Sequence, residues 1–276
     1  MDKLEFEETD RMLMEYIDDK NDCVVDLTEK IARPPVCLTK GEKIYKGKSG
    51  LTKFEIPLAT YGNFSFVQAP PKSYKTFFMS LLSGAFAGGN SKYVGNIQSH
   101  RGNKQLVHFD TEQGKWHCKR VFMRVIDIMG TNTIPDFYHT FSLRELNYNT
   151  RRKYIEYKLQ QMVDDGKEIG FVIIDGIADL VSDVNDLKGS NLVVQWLMEI
   201  TTKFNCHVIT IIHSNYGSDK PTGHLGSLLE KKAETQYSLK RNEDTGCIDV
   251  ICRRTRNVPF EPFAFNLTDT NLPIIS

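Results

Sequence analysis

NFSFVQAPPKSYKTFFMSLLSGAFAGG, residues Asn63 to Gly89, is the stretch on which the architecture turns. Phe64 to Val67 is an apolar, aromatic-rich run with the character of a buried strand, and Ala69 to Thr76 is a turn carrying Pro, Lys and Ser. From Thr76 the apolar spacing is helical, and it stops at paired glycines. Strand, loop ending in Lys-Thr, helix is the context in which a loop cradles phosphate. A helix opening at Lys75 points free N–H groups and its positive dipole end into the loop, which favours an anion there. The Lys75 ammonium would then reach the β- and γ-phosphates, and the Thr76 hydroxyl would ligate Mg²⁺.

Such loops read G-x-x-x-x-G-K-[ST], and this one departs at both glycines, with Ala69 at the first and Tyr74 at the second. A side chain at 74 restricts the backbone around the phosphates, while Pro70 and Pro71 each remove an N–H donor. Ala69, Pro70, Pro71, Lys72, Ser73, Tyr74, Lys75 and Thr76 are the candidate phosphate-binding residues. The competing reading is that Lys75 and Thr76 merely open an amphipathic helix.

Length bounds the answer: 276 residues make one large or two small domains with an ample core. Lys and Arg total 35, as do Asp and Glu, so attraction to nucleic acid would have to come from local patches. The six cysteines show no C-x-x-C pair and several lie in apolar runs, which reads as buried free thiols in a reducing compartment. The opening residues are acidic and no apolar run spans a bilayer, so a cytoplasmic protein away from membranes is expected.

Residues 1–53 read as an N-terminal arm or linker, with a helix around Thr9 to Ile17, a break at Arg33-Pro34-Pro35 and short strands. Lys40, Lys43, Lys46, Lys48 and Lys53 form a basic, glycine-rich stretch that is either a solvated face or a partner-binding strip. After Gly89 comes a mobile-looking segment, then Gln105 to Phe109, a core strand ending in Asp110-Thr111-Glu112. A carboxylate at the C-terminal edge of that strand is placed to polarise an attacking water; equally, Asp110 and Glu112 are suited to cap the next helix. Helices follow at 115–130 and 149–165, with a short strand at Phe137 to Phe141.

FVIID, residues Phe171 to Asp175, has the form of a Walker B strand, apolar throughout and delivering a carboxylate to Mg²⁺ at its end. Asp179, Asp183 and Asp186 behind it read as solvated. A helix over 191–204 leads to HVITII, a strand ending in His213, which either senses the γ-phosphate or satisfies a local hydrogen bond. Residues 217–226 are glycine-rich and flexible by composition, and strands at 235–240 and 247–252 close the pattern.

With those strand ends quoted, the chain from about Pro57 to Pro273 resembles RecA-fold P-loop ATPases, and more closely DnaB/RepA-type hexameric helicase ATPases of plasmids and mobilisable transposons. The features that carry the resemblance are KSYKT, HFDTE, FVIIDGIADL, VITIIHSN with GHLGS, and RRTRN with FEPFAFNL. It implies an α/β fold with a mainly parallel central sheet flanked by helices, with 54–276 as the ATPase domain, and ATP with Mg²⁺ as cofactors. By the same resemblance Lys75 and Thr76 bind phosphate and Mg²⁺, Glu112 activates water, Asp175 supports the metal and His213 is the sensor. Arg254 and Arg256 resemble the basic pair that such ATPases insert into a neighbour's site, where a guanidinium stabilises charge on the transferred phosphoryl. Their other reading is a surface cluster or a phosphate contact.

The implied partners are DNA, in particular single-stranded DNA, further copies of the chain in a ring or filament, and primase or mobilisation proteins. The channel-facing loops of related helicases correspond here to Lys188, Asn215, Lys220 and His224, basic but poor in aromatic rings. The function implied is a helicase-like ATPase in replication or mobilisation of a mobile element. The alternative is a degenerate scaffold that recruits other proteins without hydrolysis, which Ala69 and Tyr74 favour.

Overall fold

The computed structural model describes residues 25, 27–47, 50–215, 218 and 220–276. The helix expected around Thr9 to Ile17, and Cys23 and Lys48, lie outside them. Two units separate at the Arg33-Pro34 junction, Met1–Arg33 and Pro34–Ser276. The described part of the first is exposed, including Val25, Leu27 and Ile31.

Within Pro34–Ser276, the expected α/β architecture is present. Strands β3 (Phe64–Ala69), β5 (Gln105–Asp110), β6 (Tyr138–Ser142), β7 (Ile169–Asp175), β8 (His207–His213) and β9 (Thr235–Arg241) run parallel in the order β9-β3-β8-β7-β5-β6. Beyond β9 the sheet continues antiparallel through β10 (Ile248–Thr255), β11 (Phe263–Leu267) and β12 (Pro273–Ile275). A second, three-stranded sheet has β1 (Val36–Gly47) between β2 (Gly50–Thr60) and β4 (Ile97–Ser99). Thus β1, within the expected arm, contributes Cys37 and Leu38 to the main core of the same compact unit.

The parallel strands are apolar on both faces because helices cover both. Phe171 and Ile173 enter one cluster with Phe78, Leu82 and Phe86 of α1 (Lys75–Phe86) and Val125 of α3 (Lys115–Met129). Val172 and Ile174 enter the other, with Ile155 and Leu159 of α4 (Tyr148–Asp164), Val193 and Leu197 of α5 (Leu187–Lys203), and Leu225 of α6 (Gly223–Lys232). Helix α1 approaches α3 through Gly84, where an added Cβ would stand 2.4 Å from Ile128 Cγ2. That seam fixes the helix behind the phosphate loop.

Several expectations need correction. The segment after Gly89 holds α2 (Ser91–Val94) and β4, with Val94 and Ile97 buried, because its apolar residues are too sparse to show a period. The helical spacing of Tyr154, Tyr157, Leu159 and Met162 would turn both tyrosines inward, but in α4 Ile155, Leu159 and Met162 are buried and Tyr157 points to solvent. The strands β11 and β12 extend the sheet beyond the two final strands expected. Cys37, Cys118 and Cys206 are buried and free, and no described helix is long and apolar enough to cross a membrane.

Candidate functional site

Parallel strands deliver their last residues to one edge of the sheet, and there the polar residues converge. Register puts Asp110 beside Asp175 and Ala69 beside His213, each the terminal residue of its strand. A pocket of about 660 Å³ opens over this edge, lined by residues 72–77, by Glu112, Asp175, Asp179 and by His213. Lys75 is thus brought together with Thr76, Glu112, Asp175 and His213. Of the phosphate-loop candidates, Ala69, Pro70 and Pro71 are not among its lining residues, and neither are Arg254 and Arg256.

The loop keeps the curvature of a glycine-containing turn without the glycines. Lys72 and Tyr74 sit at φ 58° and 64°, the left-handed region that costs an L residue roughly 1–2 kcal/mol. The Tyr74 ring meets Phe77 at 5.8 Å, and the Arg241 guanidinium lies 5.9 Å over it, contacts that offset part of that cost. Ser73 donates from its hydroxyl to the Pro70 carbonyl, closing the turn. The Lys75 ammonium donates to the carbonyls of Pro70 at 2.7 Å and Ala69 at 3.3 Å. Burial lowers the Lys75 pKa to about 8, and Asp175 and Glu112 oppose that shift, which shows the ammonium lies within the field of both carboxylates.

Asp175 is 5 % exposed, and its Oδ2 has no hydrogen-bond partner. Burial raises its pKa to about 7, with neighbouring Asp110 and Glu112 adding to the rise and the Thr76 hydroxyl and Lys75 opposing it. An orphaned carboxylate oxygen beside a hydroxyl is a pair of hard donors, the kind Mg²⁺ takes while keeping water and substrate phosphates as its other ligands. The residues present therefore fit Mg²⁺. Among the described residues no cluster of three His, Cys, Asp or Glu is placed to hold a metal ion.

Asp110 and Glu112 are placed differently. Asp110 is fully buried, and its carboxylate accepts from Glu112 N at 3.0 Å and from Gln113 N and Nε2 at 2.7 and 2.9 Å. It braces the loop rather than capping a helix, since α3 begins after Gly114 with no side-chain cap. Glu112 is exposed in the pocket on that braced loop. Its neighbour Thr111 donates from its hydroxyl, which lies 2.8 Å from Asp175 O and from Asp179 Oδ2. Gly176, at φ 112°, leaves room for this contact; a Cβ there would meet Thr111 Oγ1 at 2.4 Å.

Asp179, expected in solvent, is half-buried and tied in, its carbonyl accepting from Arg151 Nη1 at 2.8 Å. Asp186 accepts from Lys188 N and Gly189 N, capping α5. Thr111, Asp179 and Arg151 are the contributors that sequence reasoning missed; T-E after D was the only local signal, and Arg151 lies in a separate helix. His213 has its carbonyl bonded to Thr222 N and Oγ1, and Ser214 N donates to Ala69 O, so the end of β8 is fastened to the start of the 69–76 loop. Burial and the Lys75 charge lower the His213 pKa, against Glu112 and Asp179, which keeps it neutral at pH 7.

A second cavity of about 410 Å³ between α3 and β6 is lined by Phe122, Met123, Ile126 and Phe141 with Lys115 and Lys119. Arg254, near the end of β10, and Arg256, just past it, are exposed at the opposite edge of the sheet, β10 running antiparallel to β9.

No curated protein matches the chain. Among solved structures, one described as an ATPase domain superposes with a TM-score of 0.55 at 17% identity, covering 77% of this chain and 84% of that one, a likeness of fold. A family model described as an AAA domain matches residues 57–219, from the end of β2 to the segment after His213. With more than half of its length inside that model and a RecA-like sheet carrying the pocket, the chain belongs to the AAA domain family of P-loop ATPases.

Proposed function

We propose that residues 54–276 hydrolyse ATP with Mg²⁺ at this pocket, as a DnaB/RepA-type helicase-like motor acting on DNA in replication or mobilisation of a mobile element. The observation that carries the reading is the gathering of Lys75, Thr76, Glu112, Asp175 and His213 around one pocket. Lys75 and the α1 N-terminus hold the phosphates, and Thr76 with the free Oδ2 of Asp175 holds the cation, which supplies charge neutralisation at the phosphoryl group. Glu112, exposed and aimed by Asp110 and Thr111, accepts the proton of the attacking water. His213, neutral, hydrogen-bonds the γ-phosphate and hands its presence to the loop before α6.

Arg254 and Arg256 lie away from their own pocket, so in this reading they complete a neighbouring copy's site in a ring or filament in the cytoplasm. Residues 1–53 serve as the arm, and the loop carrying Asn215 and Lys220 with Lys188 and His224 meets single-stranded DNA. Primase or mobilisation proteins are the further partners. The second reading, a recruiting scaffold that does not turn over ATP, draws on Tyr74 standing in a left-handed conformation that a glycine would adopt without strain.

Measuring ATP turnover with and without single-stranded DNA separates the two. Turnover stimulated by DNA, and lost about a hundredfold in Glu112→Gln with ATP binding retained, is expected for the motor. Tight ATP binding with no turnover in the wild-type chain would leave the scaffold.

A further inference from the structure

A second built polar cluster sits at the other end of the same strands, and the mechanism above does not use it. Glu234 precedes β9 and is 4 % exposed. Its Oε2 accepts from Thr60 N at 3.1 Å, and its Oε1 accepts from the Thr60 hydroxyl and from Asn257 Nδ2 at 2.8 Å. His207 Nδ1 lies 3.7 Å from Oε2 and 2.8 Å from Thr60 O. The Glu234 backbone is equally engaged: its N–H donates to Phe64 O at 2.8 Å, and its carbonyl accepts from Arg256 N at 2.9 Å. One residue therefore joins the ends of β2, β3 and β10, beside the start of β8.

A buried carboxylate with both oxygens satisfied rigidifies what it touches. What it touches most directly is the segment carrying Arg256. That residue is held three ways: its N–H on Glu234 O, its Nη2 on Lys232 O at 2.9 Å, and its successor Asn257 on Glu234 Oε1. Lys232 is the last residue of α6, whose negative dipole end favours a guanidinium. Upstream, a β-bulge between Cys252 and Arg254 re-phases the strand before it reaches this anchor. An exposed arginine on a strand end needs none of this to stay in solvent.

We propose that Glu234 and Asn257 are positioning residues for Arg256, presenting its guanidinium in a fixed attitude to the nucleotide of an adjacent copy. This rests on the reading of Arg256 as acting in trans. Positioning of this kind is worth much in rate, because a displacement of about 1 Å costs on the order of a hundredfold.

The test is complementation between full-length copies mixed before assembly. Asn257→Ala is expected to lower ATP turnover ten- to a hundredfold, with thermal melting and ATP binding near wild type, since Asn257 is only half-buried. Mixed one to one with Lys75→Ala, whose own pocket is dead but whose Arg256 is well held, it should regain about a quarter of wild-type turnover by random pairing. A defect spread through the fold would not be rescued. Asn257→Asp, similar in size but lacking the donor, must lose as much as Asn257→Ala.

Arg256→Ala mixed with Lys75→Ala is the control for the underlying reading. No rescue there would remove the trans role itself. Rescue there, but wild-type turnover in Asn257→Ala or Asn257→Asp, or a loss in Asn257→Ala that Lys75→Ala cannot rescue, would overturn the positioning proposal alone.

Discussion

Asp175 and Glu234 are buried carboxylates at opposite edges of one sheet, and they are finished differently. Asp175 keeps Oδ2 without a partner and faces a pocket, with Lys75 and Thr76 beside it. Glu234 has both oxygens occupied by Thr60 and Asn257. Leaving a buried acceptor unmet costs roughly 1–3 kcal/mol, a cost carried by the Asp175 carboxylate and spared the Glu234 carboxylate. The lesson is that burial of charge alone does not mark a ligand site. A carboxylate oxygen left without a partner where it also faces a pocket separates Asp175 from Glu234.

Substitutions at the two edges should therefore differ in sign, and four would sharpen or break the contrast. The largest effect belongs to Lys75→Ala, expected to cut ATP turnover about a thousandfold, about 4 kcal/mol at the transition state, while the protein still folds. Steady-state kinetics beside a melting curve would read both; retained turnover would remove the pocket from the chemistry. Next is Glu234→Ala, which strands Asn257 and Thr60 and should cost about 3 kcal/mol in urea unfolding. A change near zero would mean the amino edge is not the rigid one.

Third comes Asp175→Asn, which should stabilise the ligand-free protein by about 2 kcal/mol near pH 8. The sign follows from linkage. In the fold Asp175 holds its proton up to about pH 7, whereas unfolded it ionises near 3.8, so wild-type stability relative to the variant is lost as pH rises across that window. The difference between the two unfolding curves should grow from about pH 4 to about pH 7 and then level off; a constant difference would contradict the assigned burial. The smallest effect is Tyr74→Gly, which removes left-handed strain but also the ring's contacts with Phe77. A net gain of about 1 kcal/mol or less, with ATP bound slightly more tightly in calorimetry, is expected.

The carboxyl edge was legible because buried parallel strands are rich in apolar residues, unbroken in β7 up to Asp175 and interrupted in β3, β5 and β8 only by Ser65, Gln68, His108 and Thr210. Ala69, Asp110, Asp175 and His213 all stand where such runs stop. The pairing of β1 with β4 was not legible, since β4 supplies only Ile97 to Ser99 and the lysines of β1 mask its alternation. Asp179 and Arg151 escaped because their meeting depends on two helical segments brought together by the sheet. Glu234 escaped for the opposite reason: between Ala233 and Thr235 it looks like one more solvated acid at a helix end, and only the three strand ends crowding it make it internal.

The matched register of β5 and β7, residue against residue from Leu106 and Phe171 to Asp110 and Asp175, restricts how relatives of this chain can vary in length. One inserted amino acid inside β7 would push Asp175 along by about 3.3 Å and invert which side of the sheet it projects from. Insertions and deletions among homologues should accordingly collect in the connections, such as the span between α3 and β6, and spare the strands. A library that varies the length of that span ought to retain nucleotide turnover.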